Sequence, residues 1–177
     1  MSSTLPTILS LPPYHLLAYG TLLGTELYQT FVMTGVSFRA LPISMFTTLQ
    51  KRVFPAYFRT QTLLAAATAL TYPPGSLVGL RQQWSSWVPL LVNLACAGLN
   101  LYIYGPRTTR AMIDRIHQET RDGKKYNDTV DQSAEMKRLN RQFSKSHAMS
   151  IHLNLIAIIG TVWYGIMLAQ RLDVRSV

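Results

Sequence analysis

Charge is what this chain has least of. Only 14% of its 177 residues are Asp, Glu, Lys or Arg, against roughly 25% in an average soluble domain. It has one cysteine, Cys96, which excludes an intramolecular disulfide and a cysteine-based zinc cluster. Cys96 falls inside an apolar block, where it reads as a packing residue. The opening stretch "MSSTLPTILSLPPYH" lacks the basic start of a secretory signal and the Arg-rich pattern of a transit peptide. The first helix is therefore expected to act as its own insertion signal and to stay. There is no nucleophile elbow, phosphate loop, HExxH or CxxC. Ser150 lies near His147 without an orienting acid, which disfavours a hydrolase. His147 and His152 are five apart, about 140° around a helix, and so do not form a metal pair. His15 and His117 stand alone. The expectation is a chain with no metal, no cofactor and no enzymatic activity.

What the chain has is apolar residues in blocks. Charge is nearly absent from Met1 to Phe38, Gln61 to Leu80, Gln82 to Pro106 and Ser146 to Gln170. A bilayer core requires about 20 predominantly apolar residues per helix, and each block holds such a stretch. The polar chain left over is too short to cover four greasy soluble helices. The expected fold is therefore all-α: one polytopic membrane domain over 1–177, with four transmembrane helices at about 14–37, 57–73, 85–104 and 147–170. Aromatic residues near the proposed ends, among them Tyr14, Tyr57, Trp84, Trp87 and Tyr104, match the interfacial belt of spanning helices. "YPPG" at Tyr72–Gly75 closes the second span.

The basic residues sort to one side. Arg39, Lys51, Arg52 and Arg59 fall around the first loop, and the third loop from Arg107 to Lys145 holds most of the others; only Arg81, Arg171 and Arg175 lie elsewhere. The positive-inside rule then puts both long loops in the cytosol and both termini in the lumen or outside the cell. The endoplasmic reticulum, secretory pathway or plasma membrane suits this better than a mitochondrial membrane. A net charge of +9 invites a nucleic-acid reading. Here the basic residues flank spans, where topology and anionic lipid headgroups account for them. The third loop also carries six acids, so no nucleic-acid partner is expected. "NDT" at Asn127–Thr129 would stay unglycosylated in a cytosolic loop.

Short amphipathic helices are expected in these loops at about 44–54, 107–121 and 133–146. The first should begin near Ser44 as N-cap, with Phe46, Leu49 and Val53 on one face, resting on the interface. In the second, Met112, Ile113, Ile116 and Thr120 share a side; in the third, Met136, Leu139 and Phe143 do. "DGKKYND" between them is polar enough for a mobile tip. These helices read as covers for the cytosolic ends of the spans, or as a surface for a partner.

"TFVMTGVSFRALP", "FTTLQKRVFPAYF", "GPRTTRAM" and "RQFSKSHAMSIHLNL" together resemble the transmembrane protein 205-like family, small four-span eukaryotic proteins with fungal members. Its most specific segments include Arg39 with Pro42, Lys51 with Pro55, and Pro106-Arg107-Thr108-Thr109, which form a cytosolic surface in this reading. The N-terminus and the stretch between Arg121 and Asp131 depart from the pattern. The resemblance implies a compact helical membrane protein without cofactor or catalytic chemistry, and supplies no mechanism.

Polar residues recur at helical spacing inside the spans. Tyr19, Glu26, Thr30, Met33 and Ser37 share a face of the first; Asn93, Asn100 and Tyr104 align in the third; His147, Ser150, Asn154, Thr161 and Gly165 align in the fourth. Such faces turn inward, since helix contacts in membranes favour small and hydrogen-bonding residues. Glu26 is the extreme case. A central charge costs roughly 2.5 to 3.5 kcal/mol on insertion scales, which the apolar remainder of the span absorbs. Glu26 is expected to be protonated or hydrogen-bonded, with Asn93, Asn100 and Asn154 as partners by depth. An intramembrane acid reads by default as functional, and an inter-helix hydrogen bond is the structural alternative. The function expected is a non-enzymatic membrane protein, an accessory or scaffold that binds another membrane protein or itself. The rival is a small oligomeric transporter or channel using Glu26 and the Asn-lined path.

Overall fold

The computed structural model describes residues 10–73, 76–128 and 130–171. The N-terminal stretch before Ser10, Pro74 and Gly75 of the "YPPG" stop, Thr129 of the "NDT" acceptor, and Arg175 lie outside them. The described residues are helical with no strand. The elements are α1 (Leu11–Leu27), a π-helical turn (Tyr28–Met33), α2 (Thr34–Ala40), α3 (Ile43–Leu70), α4 (Ser76–Arg81), α5 (Trp84–Leu99), a second π turn (Asn100–Tyr104), α6 (Gly105–Asp122) and α7 (Ala134–Ala169). Local chemistry sets several of their ends. Pro12 and Pro13 open α1, where a missing N–H costs nothing. Ser133 caps α7, accepting from the Met136 amide. Gly123, at φ 64°, ends α6 in the left-handed conformation.

The amphipathic segments are not separate helices. Residues 44–54 are the first turns of α3, which passes Pro55 without ending. It starts at Ile43 with Pro42 in the cap position, so Ser44 is not the N-cap. Residues 107–121 continue from α5 through the second π turn, and 133–146 are the first half of α7. The packed face of α6 also differs. Ala111 and Gln118 are buried, while Ile116 and Thr120 are exposed. The reason is the partner: α6 lies along the first half of α7 and makes polar contacts, Arg115 to Asn140 and Asp122 to Ser133. The "DGKKYND" turn is tied back as well. The Tyr126 amide donates to Glu119, and its carbonyl accepts from Gln132 and Asn140.

Long helices pack side by side in a closed order, α1 on α3, α3 on α5, α5 on α7 and α7 on α1. Numbers rise along α1 and α5 as they fall along α3 and α7, so neighbours are antiparallel. His15 sits with Thr68 and Tyr164, Glu26 with Gln61 and Asn93, and Thr30 with Asn154, itself bonded to Tyr57. An apolar cluster of Ala69, Tyr72, Leu80, Leu90 and Tyr164 closes the end near α4. Arg171 donates there to Ser86 at 2.6 Å and to the Tyr72 hydroxyl. The opposite end carries Arg39, Lys51, Arg52, Arg107 and Arg110 and is called the basic end below.

Among the described residues two helices are long and apolar enough to cross a membrane, Trp84–Asp122 and Ala134–Ala169. The other two long helices have more polar residues: Glu26, Gln61 and Thr68 are buried, as is Gln29 in the π turn, while Arg52, Arg59 and Thr60 are exposed. Large apolar side chains face outward, with Leu17 67%, Phe31 64%, Leu63 64% and Ile159 57% exposed. This polarity is the reverse of a soluble domain, in which buried polar groups are the exception, and is compatible with a membrane location.

Candidate functional site

Glu26 is the centre of the interior. It is completely buried, and its Oε1 accepts from Gln61 Nε2 at 2.8 Å and from Asn93 Nδ2 at 2.7 Å. Asn93 Nδ2 also reaches Thr161 Oγ1 at 2.6 Å, and the Thr161 hydroxyl lies 3.1 Å from the Ala157 carbonyl. One residue from each long helix therefore meets at this level: Glu26 of α1, Gln61 of α3, Asn93 of α5 and Thr161 of α7. Glu26 Oε2, Gln61 Oε1 and Asn93 Oδ1 are buried without a donor. The cluster is short of donors, and the neutral acid form of Glu26 would supply one.

The other predicted site residues sit nearer the basic end. Asn154 Nδ2 donates to Thr30 Oγ1 at 2.9 Å, and Asn154 Oδ1 accepts from the Tyr57 hydroxyl at 2.7 Å. Asn100 Nδ2 donates to the Ser150 carbonyl at 3.1 Å. Neither amide bonds to Glu26, so of the three partners expected for it only Asn93 takes that place. His147 stacks on Phe143 with ring centroids 5.1 Å apart. On the far side, His15 is buried rather than isolated. Its Nδ1 donates to the Thr68 carbonyl at 3.0 Å, which leaves Nε2 to accept from the Tyr164 hydroxyl at 2.6 Å. Among the described residues no group of His, Cys, Asp or Glu could hold a metal ion.

A cavity of about 480 Å³ opens at the basic end. Phe46, Gln50 and Phe54 of α3 form one wall, facing Met112 of α6 with Phe143 and His147 of α7. Asn154 and Thr30 lie at its inner end. A smaller cavity of about 300 Å³ adjoins it, sharing Phe54, Phe58 and Thr109 and reaching Asn100 and Arg110. Each π turn supplies wall residues, Gln29 to Phe31 in the larger space and Asn100 with Leu101 in the smaller. π turns widen a helix locally and recur at functional sites. The second one requires Gly105: a Cβ there would lie 2.5 Å from the Asn100 carbonyl oxygen.

The segments singled out by resemblance surround this space. Thr108 and Thr109 line the larger cavity, and Pro55 and Pro106 line the smaller. Lys51 is half-buried, Arg39 and Pro42 are exposed, and Arg107 lies over the Tyr104 ring at 5.8 Å. Below the larger cavity Arg115 is held between the Tyr126 and Phe143 rings, 4.3 and 3.7 Å from their centroids. Burial there pulls its guanidinium below the usual arginine range.

Residues 17–117 match the family described as a domain of unknown function, DUF4149. Over 173 residues, 97% of each chain, the sequence is 43% identical to a protein of Aspergillus fumigatus named xanthocillin biosynthesis cluster protein D. The chain belongs to the DUF4149 family. The DUF4149 match contains Glu26, Gln61, Asn93 and Gln50 but stops before α7, which supplies Thr161 and His147. No solved structure matches the chain.

Spacing places Thr161 on the polar stripe of the fourth span but gives Gln50, Gln61 and His15 no such place. For the two glutamines a signal exists. Gln50, Phe54, Tyr57, Gln61, Ala65 and Thr68 recur every three or four residues and form one stripe of α3. Dividing that helix at residue 57 hid the stripe.

Proposed function

We propose that this DUF4149 protein is a non-enzymatic integral membrane protein, a four-helix bundle of four spans similar to the transmembrane protein 205-like proteins. It serves as an accessory or scaffold component of a membrane process. The observation that carries the reading is the inverted polarity: a carboxylate, amides and a histidine inside, Leu, Ile, Val and Phe outside. With no water in the bilayer to satisfy them, polar groups in spanning helices turn to one another. The basic end faces the cytosol by the positive-inside rule and meets anionic headgroups there. The membrane is that of the endoplasmic reticulum, secretory pathway or plasma membrane. The name of the Aspergillus relative supports a role beside the enzymes of a biosynthetic cluster, with a membrane partner or a second copy as the neighbour it holds.

One observation favours a second reading, a small oligomeric transporter. Thr30 and Asn154 line the cavity, and Thr30 lies one turn of helix from Glu26, so polar groups run from the open space to the buried acid. Against it, Glu26 is fully covered and held by Gln61 and Asn93.

Glu26→Gln separates the two. A glutamine keeps the acceptor oxygen and mimics the neutral acid, so a structural tie survives. The expected result in cells is unchanged abundance, unchanged co-purifying partners in mild detergent and unchanged output of the biosynthetic process. An intact complex with lost output would make the carboxylate a working group and put the transporter first.

A further inference from the structure

The larger cavity has a feature that packing does not explain. Gln50 lines it and is 5% exposed, and neither Nε2 nor Oε1 of its amide has a hydrogen-bond partner. Native structures rarely leave a buried amide with both ends unpaired. The unmet donor and acceptor cost about 1–3 kcal/mol each. The terminal torsion of a glutamine is soft, so the amide turns readily toward a guest. Around it are the rings of Phe46, Phe54 and Phe143 and the Met112 side chain; among the described residues no Asp, Glu, Lys or Arg lines the space, and His147 is the one lining group that can take up a charge.

From this geometry we infer that the cavity binds a neutral lipophilic small molecule whose polar group is a carboxamide or another group pairing a carbonyl acceptor with an N–H or O–H donor. The three attributes come from separate observations. The apolar walls select a mostly hydrocarbon or aromatic body. With no carboxylate, lysine or arginine among the lining residues, an ionised guest would be buried without a fixed countercharge, which selects a neutral one. The Gln50 amide selects a polar group that offers donor and acceptor side by side, closing two hydrogen bonds together. The volume of about 480 Å³ falls in the range of roughly 300–1,000 Å³ typical of small-molecule pockets. Phe31, Ile151 and Leu155 line the cavity and are also exposed on the outer surface, so entry is lateral, from the apolar phase. That route rests on the membrane reading; the site itself does not.

The test uses the full chain in detergent micelles and tritiated dodecanamide, with methyl dodecanoate as an acceptor-only competitor and dodecanoate as a charged one. The expected result is saturable binding at one site above that of empty micelles. The ester should compete about tenfold more weakly, corresponding to one lost hydrogen bond at about 1.4 kcal/mol per decade. Gln50→Leu should abolish that preference while keeping the thermal midpoint, since it removes an unpaired polar group. Equal competition by amide and ester in the parent protein would overturn the proposal whatever the variant does. So would tighter binding of dodecanoate, no binding beyond micelle partition, or a preference that survives Gln50→Leu in a folded protein.

Discussion

Glu26→Leu should lower the stability of the folded state by about 2 kcal/mol, because buried donors left without an acceptor cost about 1–3 kcal/mol each. Gln61 Nε2 has Glu26 as its one hydrogen-bond partner, so the leucine orphans it; Asn93 keeps Thr161 and Ala157. Two effects of the substitution oppose each other and act on different steps. Leucine makes insertion of α1 easier, removing a penalty of roughly 2.5–3.5 kcal/mol at a helix centre. That same gain stabilises the inserted but unpacked helices, so it widens the loss on folding. Hydrogen bonds between membrane helices average only about 0.6 kcal/mol in the best-measured case, so the loss comes from the orphaned partner more than from the bonds. Thermal unfolding in detergent, read by size-exclusion chromatography, checks this. The leucine variant should insert normally and melt early, while Glu26→Gln melts with the parent.

Gly160→Leu should be at least as damaging, by about 3 kcal/mol, the upper part of the range for overpacking a close contact. A Cβ at Gly160 would lie 3.0 Å from the Pro89 carbonyl oxygen and 3.8 Å from Val92 Cγ1. The obstacle is backbone on one side, so α5 and α7 must separate rather than a side chain turn away. Separation stretches the bond from Asn93 to Thr161 one turn further on, which couples the contact to the Glu26 cluster. Gly24 provides the comparison: it is exposed, and a Cβ there meets nothing within 4 Å. Gly24→Leu in the same assay should leave the melting temperature at or above that of the parent.

How far the sequence could lead is clear from these residues. Blocks of apolar residues without charge made the helical class legible, and the spacing of Asn93, Thr161 and Glu26 marked inward faces. A periodic pattern identifies which side of a helix is buried. It does not say how far one helix is slid or rotated against another, and that is what decides partners. Depth alone places Asn100 and Asn154 beside Glu26; the observed register sends them to Ser150 and to Tyr57 with Thr30. Helix ends differ from the sequence pattern for another reason. Turns of α3 and α7 that carry charge have the same backbone hydrogen bonds as the apolar turns after them, so the change in composition is no break in the helix. The cavity itself is not legible in the spacing. It lies beside two π turns, where the i, i+4 repeat is interrupted, and the α3 stripe marks Gln50 as inward-facing without showing that its amide lacks a partner.

Four membrane crossings with the basic end in the cytosol underlie the proposed function. The most direct measurement is labelling of single cysteines by an impermeant maleimide in sealed microsomes, after the buried Cys96 is replaced by alanine. Met45, Gln82 and Asn127 are exposed and sit at successive turns of the chain. The account predicts that Met45→Cys and Asn127→Cys react at once, and that Gln82→Cys reacts only after the vesicles are opened. Immediate labelling of all three would mean that α3 and the α5–α6 rod do not cross, and would contradict it.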